Sequence, residues 1–159
     1  MLPLLLCSLA LAQEPELPQT DEALQALITA AGDAEDHDGA HVATVLWATD
    51  VEVEPSGLSH IRERQVLKCL DVACAPELAR LRFDWDPASN MVEVTRLRVL
   101  REDGTIEDLP TDDGIDLPQP QWGIYWGAQM RLVQLPRLHP GDAVEVETRA
   151  IEAAEISTF

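Results

Sequence analysis

The stretch LHPGDAVEVETRA, Leu138–Ala150, contains the two patterns that decide the fold. Pro140, Gly141 and Asp142 are turn-forming residues, each for its own backbone reason. The valines and glutamates that follow alternate with a period of two, which is the spacing of a strand with one buried side. The stretch therefore predicts a turn that leads into a β-strand over Asp142–Glu152. Such a strand needs neighbours that share its buried side.

Strand patterns recur through the chain from His41 onward. The first predicted strand has apolar residues at alternate positions, with acids between them, and we expect these apolar side chains to share one buried face. Its apolar residues are Ala43, Val45, Trp47, Val51 and Val53. The other predicted strands lie at Ser59–Leu70, Leu81–Trp85, Met91–Arg101, Thr105–Leu109 and Ala128–Leu135.

Three local signals refine this prediction between residues 91 and 122. The alternation of the Met91–Arg101 strand is kept only if one residue is skipped near Thr95, which indicates a β-bulge. Asp103 and Gly104 both tolerate positive φ, and they predict a hairpin that returns Thr105–Leu109 antiparallel to the preceding strand. Pro110–Trp122 is acidic and rich in proline, so we expect a loop there.

One helix is predicted before the strands. Thr20 can cap its first turn, two acids complement the helix dipole, and Gly32 can end it. Its apolar stripe consists of Leu24, Leu27, Ile28 and Ala31. One short N-terminal helix followed by many short strands predicts a mainly β fold, an antiparallel β-sandwich of six or more strands.

Length and charge narrow the class of protein. A chain of 159 residues is the size of one domain, and 46% hydrophobic residues suffice for a core. The net charge of -18 repels polyphosphates, so we expect no nucleic-acid partner. No Lys or Arg precedes Arg62, which makes the N-terminal part strongly acidic.

The N-terminus has the features of an export signal. Residues 1–12 are apolar and end in a small-x-small pattern, so we expect cleavage after Ala12 and a periplasmic or secreted product. Residues 13–40 are then a linker with the short helix, and residues 41–159 the β-sandwich domain. No later stretch is long enough to span a membrane. Cys69 and Cys74 remain after cleavage as an even pair, for which a disulfide is expected.

Candidate reactive residues are few. The histidines are His37, His41, His60 and His139, and neither a nucleophile elbow nor a phosphate-binding glycine loop accompanies them. We therefore expect no catalytic residue, no cofactor and no metal ion. Two acidic clusters contain possible cation ligands, but a solvated acidic surface is the favoured interpretation of both. Their residues are Asp36, His37, Asp38 and His41 in one, and Asp112, Asp113 and Asp116 in the other.

An aromatic cluster offers the alternative function. Trp122, Tyr125 and Trp126 lie close together in a chain that is 4% aromatic. Rings on a β-sandwich can stack on sugars or fill a groove of a peptide partner, which would make the domain a glycan- or peptide-binding module. Rings of this size also pack well in a core, and this second interpretation stays open.

Three longer stretches resemble one bacterial family, the domain of unknown function 3857. They are VEVEPSGLSHIRERQVLKCL (Val51–Leu70), RFDWDPASNMVEVTRLRVLREDGTIEDLP (Arg82–Pro110) and MRLVQLPRLHPGDAVEVETRA (Met130–Ala150). The resemblance extends from about His41 to Ala150. Members of this family commonly precede a transglutaminase-like domain in exported proteins.

The resemblance implies a β-sandwich accessory or scaffold domain whose partner is a downstream transglutaminase-like domain or another exported protein. Any catalytic cysteine, histidine and aspartate would lie in that downstream domain, and no position of this chain takes over such a role. Because the family domain normally continues past the strand that begins at Asp142, we expect the chain to be an N-terminal fragment, incomplete at its C-terminus.

Overall fold

The computed structural model of the protein describes residues 17–119 and 127–153. This part of the chain is mainly β, as the sequence predicts. Its helices are α1 (Asp21–Ala30) and the one-turn α2 (Cys74–Glu77), with a 3-10 turn at Ala34–His37. Its strands are β1 (Val42–Val53), β2 (Leu58–Cys69), β3 (Arg80–Trp85), β4 (Asn90–Leu100), β5 (Ile106–Asp108), β6 (Ile115–Pro118), β7 (Gln129–Gln134) and β8 (Ala143–Ala153).

The strands form two antiparallel sheets. The larger sheet has the order β1-β2-β8-β4-β5, and the smaller sheet has the order β3-β7-β6. The predicted strand that follows Asp142 is β8, which pairs with β2 on one side and with β4 on the other. It is thus the central strand of the larger sheet, and its pairing joins β2 to β4.

The main core lies against one side of the larger sheet, which we call the core side. Val144 and Val146 of β8 are buried there, together with Val133 of the smaller sheet. Leu138 and Leu135, from the chain between β7 and β8, belong to the same cluster. Apolar residues at alternate positions thus cover each other between the two sheets, as the sandwich prediction requires.

Helix α1 packs on the opposite side of the larger sheet, which we call the helix side. The hydroxyl of Thr20 accepts a hydrogen bond from the Ala23 amide at 3.2 Å, so the predicted cap is confirmed. Leu24 and Ile28 are buried against Val66 and Leu100 of the sheet. The predicted stripe was too wide, because Leu27 is 37% exposed.

Two of the refined strand signals are confirmed and one is wrong. The register between β4 and β8 shifts between Val94 and Arg96, where the bulge was predicted. Strand β5 returns antiparallel to β4 after Asp103 and Gly104, also as predicted. The predicted loop at Pro110–Trp122, however, contains strand β6, which pairs with β7. Its residues are exposed, and the alternation of Ile115, Asp116 and Leu117 is too short to predict a strand.

Strand β1 corrects the prediction of a single buried face. Its pairing with β2 shifts between Thr44 and Leu46, which indicates an irregularity of the bulge type. One extra residue reverses the side to which all later residues point. Ala43 is buried, whereas Trp47 is 65% exposed, Val51 53% and Val53 63%.

Two acids of the turn and of strand β8 are buried, although the alternation there predicts one buried side, that of the valines. Asp142 is buried in the turn before β8, where its carboxylate accepts hydrogen bonds from the amides of Glu102 and His139 and from the guanidinium of Arg101. Glu145 lies on the helix side of β8 and has no exposed surface. Buried carboxylates require such partners, and the sequence does not name them.

Candidate functional site

The two cysteines are joined in a disulfide between the end of β2 and the start of α2. The Cα atoms of Cys69 and Cys74 are 5.3 Å apart, and both residues are fully buried in the main core. Because each sulfur is bonded to the other, neither supplies a free thiolate. The bridge therefore contributes to the core and to the turn that follows β2.

His41 lies beside this disulfide loop. Its Nδ1 is 2.8 Å from Oδ2 of Asp71, and its carbonyl oxygen accepts the amide hydrogen of Leu70. The hydrogen bond from His41 lowers the pKa of the Asp71 carboxyl. The pair has the form of an oriented general base, but the cysteines next to it are oxidised. Its contacts hold the loop to the start of β1.

Side chains of the first acidic cluster form hydrogen bonds with nearby backbone groups. Oδ2 of Asp36 accepts the amide hydrogen of Asp33, whose carboxylate in turn accepts the amide hydrogen of Glu35. Nε2 of His37 lies 2.6 Å from the carbonyl oxygen of Ala31. These residues cap the 3-10 turn and close it onto helix α1. Within residues 17–119 and 127–153, no three His, Cys, Asp or Glu side chains converge as metal ligands.

The residues of the second acidic cluster lie in two different elements, strand β6 and the bend before it. Asp116 of β6 faces Arg131 of β7 and accepts two hydrogen bonds from its guanidinium, at 2.7 and 2.8 Å. This contact lowers the pKa of the Asp116 carboxyl. Asp112 and Asp113 lie in the bend before β6. The arrangement joins two strands by an ion pair.

The predicted aromatic cluster of Trp122, Tyr125 and Trp126 lies outside the described residues. Its role as a glycan- or peptide-binding surface stays a prediction.

A different surface stands out in the structure, at the end of the larger sheet formed by the β1–β2 hairpin. On the core side, Val51 is the cross-strand partner of Ile61, which is the partner of Ala150, and Ala150 is the partner of Val92. These four apolar residues form one row across four strands. Trp47 lies on the same side of β1.

We call this surface the open apolar face, defined by Trp47, Val51, Val53, Ile61 and Val92. The first three side chains are more than half exposed, and the other two are half-buried. An exposed apolar area of this kind, on the same side of a sheet as the core, is typical of an interaction site. Sequence alone does not reveal this surface, because the alternation of β1 is also the pattern of a strand packed in a core.

The position of the open apolar face within the fold also favours an interaction site. Strand β1 is an edge strand, so its outer backbone groups are unpaired within the larger sheet. Asp50 and Glu52 lie along this edge and place charge there. Ala153, the last residue of β8, is the partner of Leu58 at the hairpin end. The central strand therefore ends next to the open apolar face.

The chain belongs to the family described as a domain of unknown function with solved structure, DUF3857, whose profile matches residues 55–157. The match contains β2 to β8 and agrees with the resemblance noted in the sequence. No curated protein matches the chain.

Solved structures resemble the fold at low sequence identity. A crystal structure from Parabacteroides distasonis ATCC 8503, described as a "putative protease", superposes with a TM-score of 0.62 and 12% identity, over 70% of this chain. This chain spans only 23% of that protein. A family 3a carbohydrate-binding module from the cipA scaffoldin of Clostridium thermocellum, in two structures, gives TM-scores of 0.42 and 0.39 at 10% identity, with 70% of this chain and 68% and 75% of those chains covered.

No helix among the described residues combines the length and the apolar character that a membrane crossing requires.

Proposed function

We propose that this domain is a non-catalytic accessory module of an exported protein, and that it docks a neighbouring transglutaminase-like domain on its open apolar face. The observation that carries the proposal is the exposure of Trp47, Val51 and Val53 beside the end of the central strand. A segment that follows β8 would begin at this end of the larger sheet, within reach of the face.

The chemistry of the face supports docking of a folded protein surface. Buried tryptophan side chains dominate the binding energy of many interfaces, and β-branched residues give a rigid apolar surround. The face also contains polar residues: Thr49 lies between its apolar side chains on β1, Glu63 is the cross-strand partner of Thr49, and Ser59 is the partner of Val53. A domain with an apolar patch would bury the apolar side chains, and a cationic group at the edge of that patch would pair with Glu63.

The comparisons support a larger protein as the context. This chain corresponds to 23% of the similar bacterial structure, so the same fold occurs there as one part of a longer chain. The resemblance to the DUF3857 family points to a transglutaminase-like domain as the neighbour. The reactive residues would then be supplied by that neighbour.

The contacts of the candidate reactive residues support a non-catalytic role. His41 is bonded to Asp71 beside two oxidised cysteines, and the carboxylates of Asp36 and Asp116 are engaged in a cap and an ion pair. An oxidising compartment, as the signal-like N-terminus implies, is consistent with a buried disulfide.

The experiment is a titration calorimetry measurement between this protein and a transglutaminase-like domain produced as a separate polypeptide. The expected result is saturable binding that the pair Trp47→Ser and Val51→Thr weakens at least about tenfold, as for two interface anchors. Val72→Thr is the matched control, because Val72 is 80% exposed at the opposite end of β2.

Equal binding by the face variant and the Val72 variant would overturn the docking surface. Absence of binding at 100 μM, roughly the limit for a weak specific interface, would overturn the partner. Peptide hydrolysis or transamidation by this chain alone, lost in a His41→Ala variant, would overturn the non-catalytic role.

A further inference from the structure

The helix side of the larger sheet holds an unusual concentration of positive charge. The whole chain has 11 Lys and Arg and a net charge of -18, yet five arginines project from this one side of three adjacent strands. Their positions follow from the alternation that places Val66 and Glu145 on the same side. They are Arg62 and Arg64 on β2, Arg149 on β8, and Arg96 and Arg98 on β4.

Three of these arginines are engaged with acids of the protein. Arg64 and Arg98 both hold the buried carboxylate of Glu145, with contacts of 2.6 Å and 2.5 Å from their Nη2 atoms. Arg96 donates to Glu147 at 2.9 Å. These guanidiniums are fixed in place by the fold and are structural.

Arg62 and Arg149 differ from the other three. Neither has an acidic oxygen within 4.0 Å among the residues that the structure describes. They are direct cross-strand partners, so two positive side chains stand opposite each other on adjacent strands. Like charges in this position are unfavourable, and their Cβ atoms are about 5 Å apart. Asp50 and Glu93 are the next partners along this row, on the far side of each arginine.

Both arginines line an open cleft of about 320 Å³. Leu17 and Ala48 give the cleft an apolar wall, and Thr95, at the β4 bulge, contributes to its lining. The acids of the cleft are Asp50, Glu63 and Glu147, of which Glu147 is paired with Arg96. The cleft thus combines two guanidinium groups that have no ion pair among the described residues with a small apolar surface.

We propose that Arg62 and Arg149 form a binding site for a single carboxylate of a peptide, with the adjoining apolar residue of that peptide against Leu17 and Ala48. One carboxylate can accept hydrogen bonds from two guanidiniums about 5 Å apart at their Cβ atoms, and such charge-assisted bonds are short and strong. The bound anion would also remove the repulsion between the two arginines.

The acids in the cleft select the charge of the ligand. Asp50, Glu63 and Glu147 line the same cleft, so a second negative charge on the ligand is penalised, which disfavours phosphate and polyanions compared with one carboxylate. The apolar wall disfavours a fully hydrated inorganic ion for the same reason that it accepts a side chain. The site lies on the helix side of the sheet and is independent of the open apolar face.

The test follows the Nε–Hε signals of the arginines by two-dimensional NMR, with Arg62→Gln and Arg149→Gln for assignment. Acetyl-alanyl-leucine should shift both signals in a saturable way, whereas the same peptide with a C-terminal amide should not. The peptide acetyl-alanyl-glutamyl-amide separates the two sources of the carboxylate, since it presents a side-chain carboxylate alone. Binding of either acid, without binding of the amide, supports the proposal.

The double variant Arg62→Gln with Arg149→Gln should weaken peptide binding at least about tenfold, the equivalent of one charge-assisted hydrogen bond. Arg80→Gln is the control, because Arg80 is exposed on β3 and also lacks an ion pair among the described residues. Equal shifts with the amide, with inorganic phosphate, or in the double variant would overturn the site. A lower melting temperature of Arg62→Gln would also overturn it, because Arg62 would then have an internal partner.

Discussion

Arg64 donates from Nε to Oε1 of Glu145 at 2.8 Å, across two adjacent strands of the larger sheet, and Glu145 has no exposed surface. The second carboxylate oxygen accepts from Nε of Arg98 at 2.6 Å. Arg98 extends further to Asp21 at the start of α1, at 2.9 Å. The buried carboxylate therefore connects β2, β8 and β4 to the N-terminal helix by charge.

Glu145→Gln should lower the free energy of unfolding by about 3–5 kcal/mol, because it removes the negative partner of two arginines that are largely out of water. The measurement is urea denaturation followed by circular dichroism at neutral pH. Glu147→Gln is the matched control on the same strand and the same side. Since the Glu147 side chain is 28% exposed, that change should cost about 1 kcal/mol or less.

Equal losses of stability in the two variants would contradict the central role given to Glu145.

The sequence predicts only part of this arrangement. Val144, Glu145 and Val146 alternate in the way of a strand with one wet side, and this correctly located β8 and its core side. Alternation cannot show that a helix and two arginines, distant in sequence, cover the other side as well.

Leu24→Ala should destabilise the protein by about 2–5 kcal/mol, because Leu24 is fully buried between α1 and the larger sheet and the change leaves a cavity. Leu27→Ala, one turn away on the same helix, should cost well below half of that, since Leu27 is 37% exposed. Urea denaturation measures both. If the two losses were equal, α1 would not be docked through the Leu24 side.

The double variant Cys69→Ala with Cys74→Ala should lose about 2 kcal/mol from the closed loop of the disulfide, because the two residues are only 5 positions apart. The serine pair should lose more than the alanine pair, since both positions are fully buried in the main core and each hydroxyl would need a partner. Urea denaturation of both variants measures the difference. A serine pair as stable as the alanine pair would show that these positions are wet.

The open apolar face shows where sequence reasoning reaches its limit. Trp47, Val51 and Val53 have the spacing of a buried strand face, and their sequence carries no sign that they are exposed. Two facts decide it: the bulge-like shift after Thr44, which reverses the sides of β1, and the packing of the smaller sheet, whose shared core with the larger sheet includes none of the three residues. Both depend on the packing of distant strands, and neither is encoded in the local pattern.

The Asp116–Arg131 pair should make the attachment of β6 to β7 sensitive to acid. The contact with Arg131 lowers the pKa of Asp116 below its ordinary value of 3.8, so its stabilising contribution is fully present above that pH. The contribution is lost as the pH falls through the lowered, folded-state value, because the protonated carboxyl no longer pairs with the guanidinium. Arg131→Gln should therefore be less stable than the wild type at pH 6 and equal to it in strong acid.

The measurement is a ¹³C NMR titration of the Asp116 carboxyl, with urea denaturation at each pH. In Arg131→Gln the midpoint of the Asp116 titration should move upward, because the hydrogen bonds that favour the ionised form are gone. Arg80→Gln, on the other side of β7 in the smaller sheet, should leave the midpoint unchanged. An unchanged midpoint in Arg131→Gln would show that the pair is separated in solution, and β6 would then be held to β7 by its backbone hydrogen bonds and remaining side chains.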